Sequence, residues 1–257
     1  MRLDKYLSEH GFSSRTKAAR AVAEGRVFVN GRAGKPSDEV TDGDSIEIRE
    51  KPLSFVSEGG YKLRKALDDF ARDVCGCTCV DLGASMGGFT DCLLQAGAAV
   101  VYAVDVGKGQ LDEAVRGDSR VRVLDETNVR YLRREDIGTE RIDVVTADLS
   151  FISLKLIFPV IAGLLEEGGA AYVLVKPQFE CGGIGLNKHG IVKDRKKRLD
   201  IVNELAVAAA RCGLIPRNVT PAPIRENKNI EYMMLLQKAA TGAEGIADFE
   251  KRVSELD

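Results

Sequence analysis

The sequence predicts an α/β chain in which a small α+β domain precedes a doubly wound domain with a mainly parallel sheet. Three observations predict it. From Tyr61 onward, apolar runs of strand length alternate with segments of helical period. The first of those runs ends in the glycine-rich turn Asp81-Leu82-Gly83-Ala84-Ser85-Met86-Gly87-Gly88, followed by Phe89-Thr90. Ahead of it lies a short basic stretch with a helix-helix-strand pattern of its own.

At 257 residues the chain suits one small and one large domain. Its hydrophobic content of 44% is enough for a core, and no run of about 18 apolar residues suggests a membrane helix. The start, Met1-Arg2-Leu3-Asp4-Lys5-Tyr6, lacks the apolar stretch of a secretion signal, so a cytoplasmic location is expected. Cys75, Cys77 and Cys79 alternate along one segment, unlike the Cys-x-x-Cys of zinc or redox sites. With Cys92, Cys181 and Cys212 they read as reduced thiols. His10 and His189 are the only histidines, so no metal site is expected.

The net charge of −2 argues mildly against nucleic acid, but its distribution argues for it. Residues 1–35 carry eight basic and three acidic groups, a local excess of 8 − 3 = +5.

Leu3, Tyr6 and Leu7 recur at helical spacing and predict the first helix. Ser13 and Ser14 are candidate caps for a second helix through Ala18, Ala19, Ala21 and Val22, which Gly25 can end in a left-handed turn. Val27-Phe28-Val29 reads as a strand turning at Asn30-Gly31, and Ser45-Ile46-Glu47-Ile48 as another after Asp42-Gly43. Arg15, Lys17 and Arg20 lie close on the second helix, with Arg2 and Lys5 nearby, and can meet phosphates without disturbing the apolar face. Lys51-Pro52-Leu53-Ser54 breaks the pattern and reads as a linker. The expected division is residues 1–51, a linker at 52–59, the large domain at 60–242, and a C-terminal helix at 243–257.

In the large domain, helices are expected at about 61–71, 89–95, 111–115, 154–165 and 196–211. Strands are expected at 77–82, 99–104, 121–124, 142–147, 170–175, 215–220 and 231–236. Ligands of such sheets bind at the carboxyl ends of the strands. Gly83 and Gly87 let backbone approach a ligand there. Asp105 ends the second strand, where an acid can bind ribose hydroxyls. Asp125 and Glu126 end the third, where an adenine can rest. A nicotinamide dinucleotide would prefer a second glycine where Ser85 stands, and a helix N-terminus facing pyrophosphate. The carboxylate of Asp81 suits a cationic ligand better, which favours S-adenosylmethionine. Ala84, Phe89, Asn128 and Asp148 complete the candidate cofactor set.

Asp148 follows the fourth strand and Lys176 the fifth, so both are expected beside the cofactor. An amine next to a sulfonium loses its proton more readily, because like charges disfavour the protonated form. It could then act as a base toward a hydroxyl. The glycine-rich run from Cys181 to Gly190 reads as a mobile loop. The basic run that follows it, led by Lys193 and Arg195, is a second candidate RNA patch.

Two resemblances add to this. Arg2-Leu3-Asp4-Lys5-Tyr6-Leu7, Ser14-Arg15-Thr16-Lys17-Ala18 and Gly25-Arg26-Val27-Phe28-Val29-Asn30-Gly31 resemble the RNA-binding module named after the fourth small-subunit ribosomal protein. Gly60-Tyr61-Lys62-Leu63, the turn from Asp81 to Thr90, Asp125-Glu126-Thr127-Asn128-Val129-Arg130, Asp148-Leu149-Ser150-Phe151-Ile152-Ser153-Leu154, Val175-Lys176-Pro177-Gln178-Phe179-Glu180 and Asn229-Ile230-Glu231-Tyr232 resemble the TlyA family. Its members, often called hemolysins, join that module to a Rossmann-like methyltransferase domain of the FtsJ/RrmJ type. The resemblance implies S-adenosylmethionine-dependent 2′-O-methylation of cytidine in ribosomal RNA. It also implies a Lys-Asp-Lys-Glu tetrad at Lys62, Asp148, Lys176 and Glu231. The residue pattern alone singles out neither Lys62 nor Glu231. The motif beginning at Arg2, with no basic arm before it, leans toward the large-subunit RNA alone.

Three other readings compete. A non-catalytic RNA-binding or ribosome-assembly factor would bind RNA without methyl transfer. A small-molecule methyltransferase would leave residues 1–50 without a purpose. A pore-forming hemolysin would need a membrane element that the sequence does not offer.

Overall fold

The computed structural model describes every residue except 11, 13, 24, 42, 49–53, 224–227, 240–245 and 257, and among the rest it leaves out the side chains of Lys17, Arg20, Ile246 and Ala247. The chain forms two compact units, Met1–Ser54 and Phe55–Asp257.

The first unit pairs helices α1 (Leu3–Glu9) and α2 (Arg15–Ala23) with strands β1 (Val27–Val29), β2 (Arg32–Ala33) and β3 (Ile46–Ile48). The strands form an antiparallel sheet in the order β2-β1-β3. Leu3, Leu7, Ala18, Val22, Val27 and Val29 share one buried cluster, as the helical spacing predicts. Gly25 has φ +69°, and the Gly25 and Arg26 amides donate to the carbonyls of Val22 and Ala21, ending α2 in a left-handed turn. The expected cap Ser13, the turn residue Asp42 and the linker residues 51–53 lie outside the described residues.

The second unit begins earlier than the expected domain start. Phe55 and Val56 pack on its core, and the Val56 amide donates to Asp91 Oδ2 at 2.9 Å. In chain order follow α3 (Gly59–Phe70), β4 (Thr78–Leu82), α4 (Gly88–Gln95), β5 (Val100–Val104), α5 (Glu113–Arg116), β6 (Val121–Leu124), α6 (Arg134–Ile137), β7 (Val144–Ala147), α7 (Phe158–Leu164), β8 (Ala170–Val175), α8 (Pro177–Glu180), α9 (Arg195–Arg211), β9 (Leu214–Pro221), β10 (Tyr232–Lys238) and α10 (Ile246–Ser254). The segment expected as one helix at 154–165 divides into a 3₁₀ turn, Leu154–Leu156, and α7. Pro159 explains the division: lacking an amide hydrogen, it fits the first turn of a helix and not its interior.

Seven strands make one sheet in the order β6-β5-β4-β7-β8-β10-β9. Strands β4 to β8 run parallel, and β10 is antiparallel to both of its neighbours. Successive side chains of a strand face opposite sides of its sheet, and β8 shows the result. Ala171, Val173 and Val175 join the cluster under α7, α9 and α10, whereas Ala170, Tyr172 and Leu174 join the one under α3, α4 and α5. A strand buried on both faces reads as an unbroken apolar run, as Ala-Ala-Tyr-Val-Leu-Val does. The chain crosses from one half of the sheet to the other between β4 and β7, which opens a crevice at their carboxyl ends.

Candidate active site

The crevice is shaped by glycine. After β4 the chain turns at Gly83 with φ +85°, where a Cβ would stand 2.7 Å from the Asp148 carbonyl oxygen. Only glycine therefore lets the loops after β4 and β7 meet. At Gly88, which opens α4, a Cβ would stand 2.1 Å from Ser57 Oγ. The amides of Gly83 and Ala84 both donate to the Val104 carbonyl, which holds the turn against β5. The resulting cavity, about 220 Å³, is walled by Gly83, Ala84, Ser85, Gly88 and Phe89 on one side. Asp148, Ser150 and Lys176 wall the other, with Ser57 and Gly59 between.

Parallel neighbours β7 and β8 deliver the charged pair. Lys176 Nζ lies 2.5 Å from Asp148 Oδ1, with the side chains 11% and 22% exposed. The amine also donates to Ser150 Oγ at 3.0 Å. A mostly buried pair that lines a cavity can bind a charged ligand and move a proton at a bound hydroxyl.

Lys62 and Glu231 form a second pair, Nζ to Oε2 at 2.6 Å. The other Glu231 oxygen accepts a hydrogen bond from Gln178 Nε2 at 3.3 Å. A second cavity of about 190 Å³ is lined by Glu58, Lys62, Gln178, Pro223, Lys228, Asn229 and Glu231. It neighbours the first through Glu58 and Gly59, and through Lys176 and Gln178. The four tetrad positions thus form two ion pairs lining two adjoining cavities.

Not every expected cofactor residue reaches the cavity wall. Asp81 is fully buried behind the turn, accepting from Thr90 Oγ1 at 2.7 Å and from Thr146 Oγ1 at 2.8 Å. Its carboxyl is pushed up to about 6, chiefly by burial. As a strand-end acid it turns into the sheet, because two threonines there supply its donors. Asp105 steadies the turn, accepting from the Ser85 amide at 2.8 Å and the Gly107 amide at 2.7 Å. Asp125 accepts from Arg116 at 2.9 Å and from the Gly109 amide at 3.1 Å, and chiefly Arg116 holds its carboxyl below the usual range. Asn128 caps the 3₁₀ turn Val129–Tyr131 by accepting from the Arg130 amide. Gly87 has φ +93° and packs under Leu111 and Val115, so it shapes the turn from behind. Ser57, Gly59, Gly88 and Ser150 line the cavity although the sequence did not single them out. Ser57 and Gly59 fell in the expected linker, where local pattern carries no signal of a fold-back.

The candidate RNA residues separate in the same way. In the first unit Asp4 holds Arg2 and Arg15 together, with a contact of 3.1 Å to each and both side chains about half exposed. The Arg2 hydrogen bond, more than Arg15, brings the Asp4 carboxyl down to about 2. Lys5 approaches Glu9 at 3.9 Å on the exposed face of α1. The side chains of Lys17 and Arg20 lie outside the described residues. In the second unit Lys193 is exposed. Arg195, however, donates to the Ser254 and Leu256 carbonyls, so it ties the end of α10. Arg198, in the same basic run, is buried against Tyr232 Oη and the carbonyls of Val192 and Lys193. The glycine-rich segment is anchored as well. Asn229 accepts from the Val192 amide and donates to the Gly190 carbonyl, and Lys197 donates to the Ile184 carbonyl.

Among the described residues no group of three or more His, Cys, Asp or Glu could hold a metal ion. Among them, too, no helix is long and apolar enough to cross a membrane. Sheet order, glycine turn and strand-end pair define a Rossmann-like fold with a glycine-lined crevice at its switch point. The FtsJ-like methyltransferase model matches residues 55–238 and the S4 domain model matches residues 1–46. The chain belongs to the FtsJ-like methyltransferase family, in its TlyA branch. It is 40% identical over 254 residues to the 16S/23S rRNA (cytidine-2′-O)-methyltransferase TlyA of Mycobacterium tuberculosis, covering 96% of this chain and 94% of that one. It is 29% identical over 255 residues to the 23S rRNA (cytidine-2′-O)-methyltransferase TlyA of Campylobacter jejuni, covering 90% and 97%. A solved structure from Streptococcus thermophilus, described as a candidate hemolysin, superposes with a TM-score of 0.74 at 36% identity, covering 99% and 94%.

Proposed function

We propose that this chain is a cytoplasmic enzyme that methylates the 2′-hydroxyl of a cytidine ribose in ribosomal RNA, with S-adenosylmethionine as donor. The observation that carries the proposal is the Lys176–Asp148 pair on the wall of a glycine-lined cavity. Both relatives named above act, by their names, on 23S RNA, and the large-subunit RNA is the target proposed here.

The cavity fits the donor. Its glycines offer bare backbone for close approach, and Asp148, the one carboxylate on its wall among the described residues, suits an ammonium or sulfonium better than a diphosphate. Gly83, Ala84, Ser85 and Phe89 would hold the ligand, with Asp105 fixing the turn that presents them. Bound S-adenosylmethionine supplies an electrophilic methyl group on a sulfonium. Lys176, oriented by Asp148 and Ser150, takes the proton of the ribose hydroxyl. The oxygen so freed would then receive the donor's methyl group, the donor leaving as the neutral thioether. Lys62 and Glu231 hold the target nucleotide from the second cavity. Placing oxygen and methyl together supplies much of the rate. Arg2, Lys5, Arg15, Lys17 and Arg20 grip phosphates of the folded RNA, which is read through shape.

The test uses purified protein, a donor labelled in its methyl group, and ribosomal RNA from cells lacking the gene. Label in 2′-O-methylcytidine of 23S RNA after nuclease digestion is the expected result. Label on a base refutes the proposal. Bound RNA without label turns the reading toward a non-catalytic RNA-binding factor.

A further inference from the structure

Gln178 lies two residues past Lys176, in the turn α8, and its side chain lines the second cavity. Its Nε2 donates to Glu231 Oε1 at 3.3 Å, while Lys62 Nζ donates to Glu231 Oε2 at 2.6 Å. A carboxylate only accepts, so this contact fixes the amide with its nitrogen toward Glu231 and its oxygen away. That oxygen, Oε1, is buried and has no donor among the described residues. A buried acceptor without a donor is costly, and the residue that carries it lines the second cavity, so a small turn of the amide would let a ligand there supply the missing N–H. Asn229, also on the wall, does not donate to it. Its amide already donates to the Gly190 carbonyl at 2.9 Å and its oxygen accepts from the Val192 amide at 2.9 Å.

We infer that Gln178 distinguishes cytidine from uridine at the target. Its Oε1 accepts a hydrogen bond from the N4 amine of a cytosine seated in the second cavity. Uracil presents a carbonyl at the same position, so acceptor would face acceptor. The inference rests on the reading that the chain methylates a cytidine ribose, and it adds the residue that selects the base. Proton transfer at Lys176 and base reading at Gln178 then fall two residues apart on one turn. The Glu231 contact makes Lys62 and Glu231 the frame that aims the amide.

Three versions of an rRNA fragment test this under single turnover: one with cytidine at the target, one with the analogue carrying hydrogen in place of N4, and one with uridine. Wild-type kcat/KM is expected to fall about 10- to 100-fold from cytidine to the analogue, and about 100-fold or more for uridine. Gln178→Met keeps the length of the side chain and removes the acceptor. It is expected to process cytidine as slowly as the wild type processes the analogue. It should lose nothing further on the analogue, and its cytidine-to-uridine ratio should approach one. Wild-type protein that treats cytidine and the analogue alike overturns the inference, as does a Gln178→Met ratio equal to that of the wild type. If Gln178→Met does not fold, the wild-type series on the three RNAs decides alone. Methyl transfer to none of them overturns the methylation reading itself, which separates that failure from the failure of Gln178.

Discussion

Lys176 Nζ stands 2.5 Å from Asp148 Oδ1 where two neighbouring parallel strands end. Neither residue is near the other in sequence, and the register of β7 with β8 brings them together. Asp148 both pairs with the amine and lines the first cavity, the proposed donor site. Asp148→Asn keeps the shape and removes the charge. Methyl transfer is expected to fall about 10- to 100-fold, and the donor Kd to rise. Quenched-flow turnover and titration calorimetry measure the two effects. No change in either would remove Asp148 from the site.

Lys62 and Glu231 lie 21% and 17% exposed, so each shields its partner from most of the solvent. Removing one leaves the other partly buried without its counter-charge, a larger cost than losing both. A double-mutant cycle with Lys62→Met and Glu231→Gln, followed by denaturant unfolding, is expected to give a coupling of about 0.5–3 kcal/mol. Strict additivity would mean that the two do not act as a pair.

Asp81 makes stability depend on pH. Burial raises its carboxyl from the ordinary 3.8 to about 6. The folded chain therefore binds this proton more tightly than the unfolded chain. That stabilisation is complete below the unfolded value and is lost as pH rises through about 6. Asp81→Asn carries no such proton. Between pH 4 and pH 8 its stability relative to wild type should rise by about 2–3 kcal/mol. Urea midpoints across that range test this, and a constant difference contradicts it.

Arg2 and Arg15 share Asp4 in the first unit, whereas Arg195 ties the end of α10. Arg2→Ala and Arg15→Ala are each expected to weaken RNA binding and to lower the salt slope by about 0.7–0.9. Arg195→Ala should leave binding and slope unchanged and lower thermal stability. Fluorescence anisotropy across a salt series, beside melting curves, separates the two behaviours.

Much of this was legible in the sequence where the signal is local. The apolar run of β8 has the bounds that its pattern predicts, because a strand buried on both faces is apolar along its whole length. The edge strand β6 has its expected bounds too, with Val121 and Val123 alternating with the exposed Arg122. The insertion of β10 between β8 and β9 was not legible, since strand order depends on contacts far apart in sequence. Lys62 and Glu231, 169 residues apart, came only from the family resemblance for the same reason. Charge was read correctly as charge, but its partners were not visible. Asp81 turned inward to Thr90 and Thr146, and Arg195 found carbonyls about 60 residues away.

The proposed catalysis turns on the amine of Lys176. Single-turnover methylation by Lys176→Ala, with donor affinity measured on the same preparation, tests it most directly. The predicted result is a loss of at least about 100-fold in transfer with donor Kd within about threefold of wild type. Transfer at the wild-type rate would contradict the account.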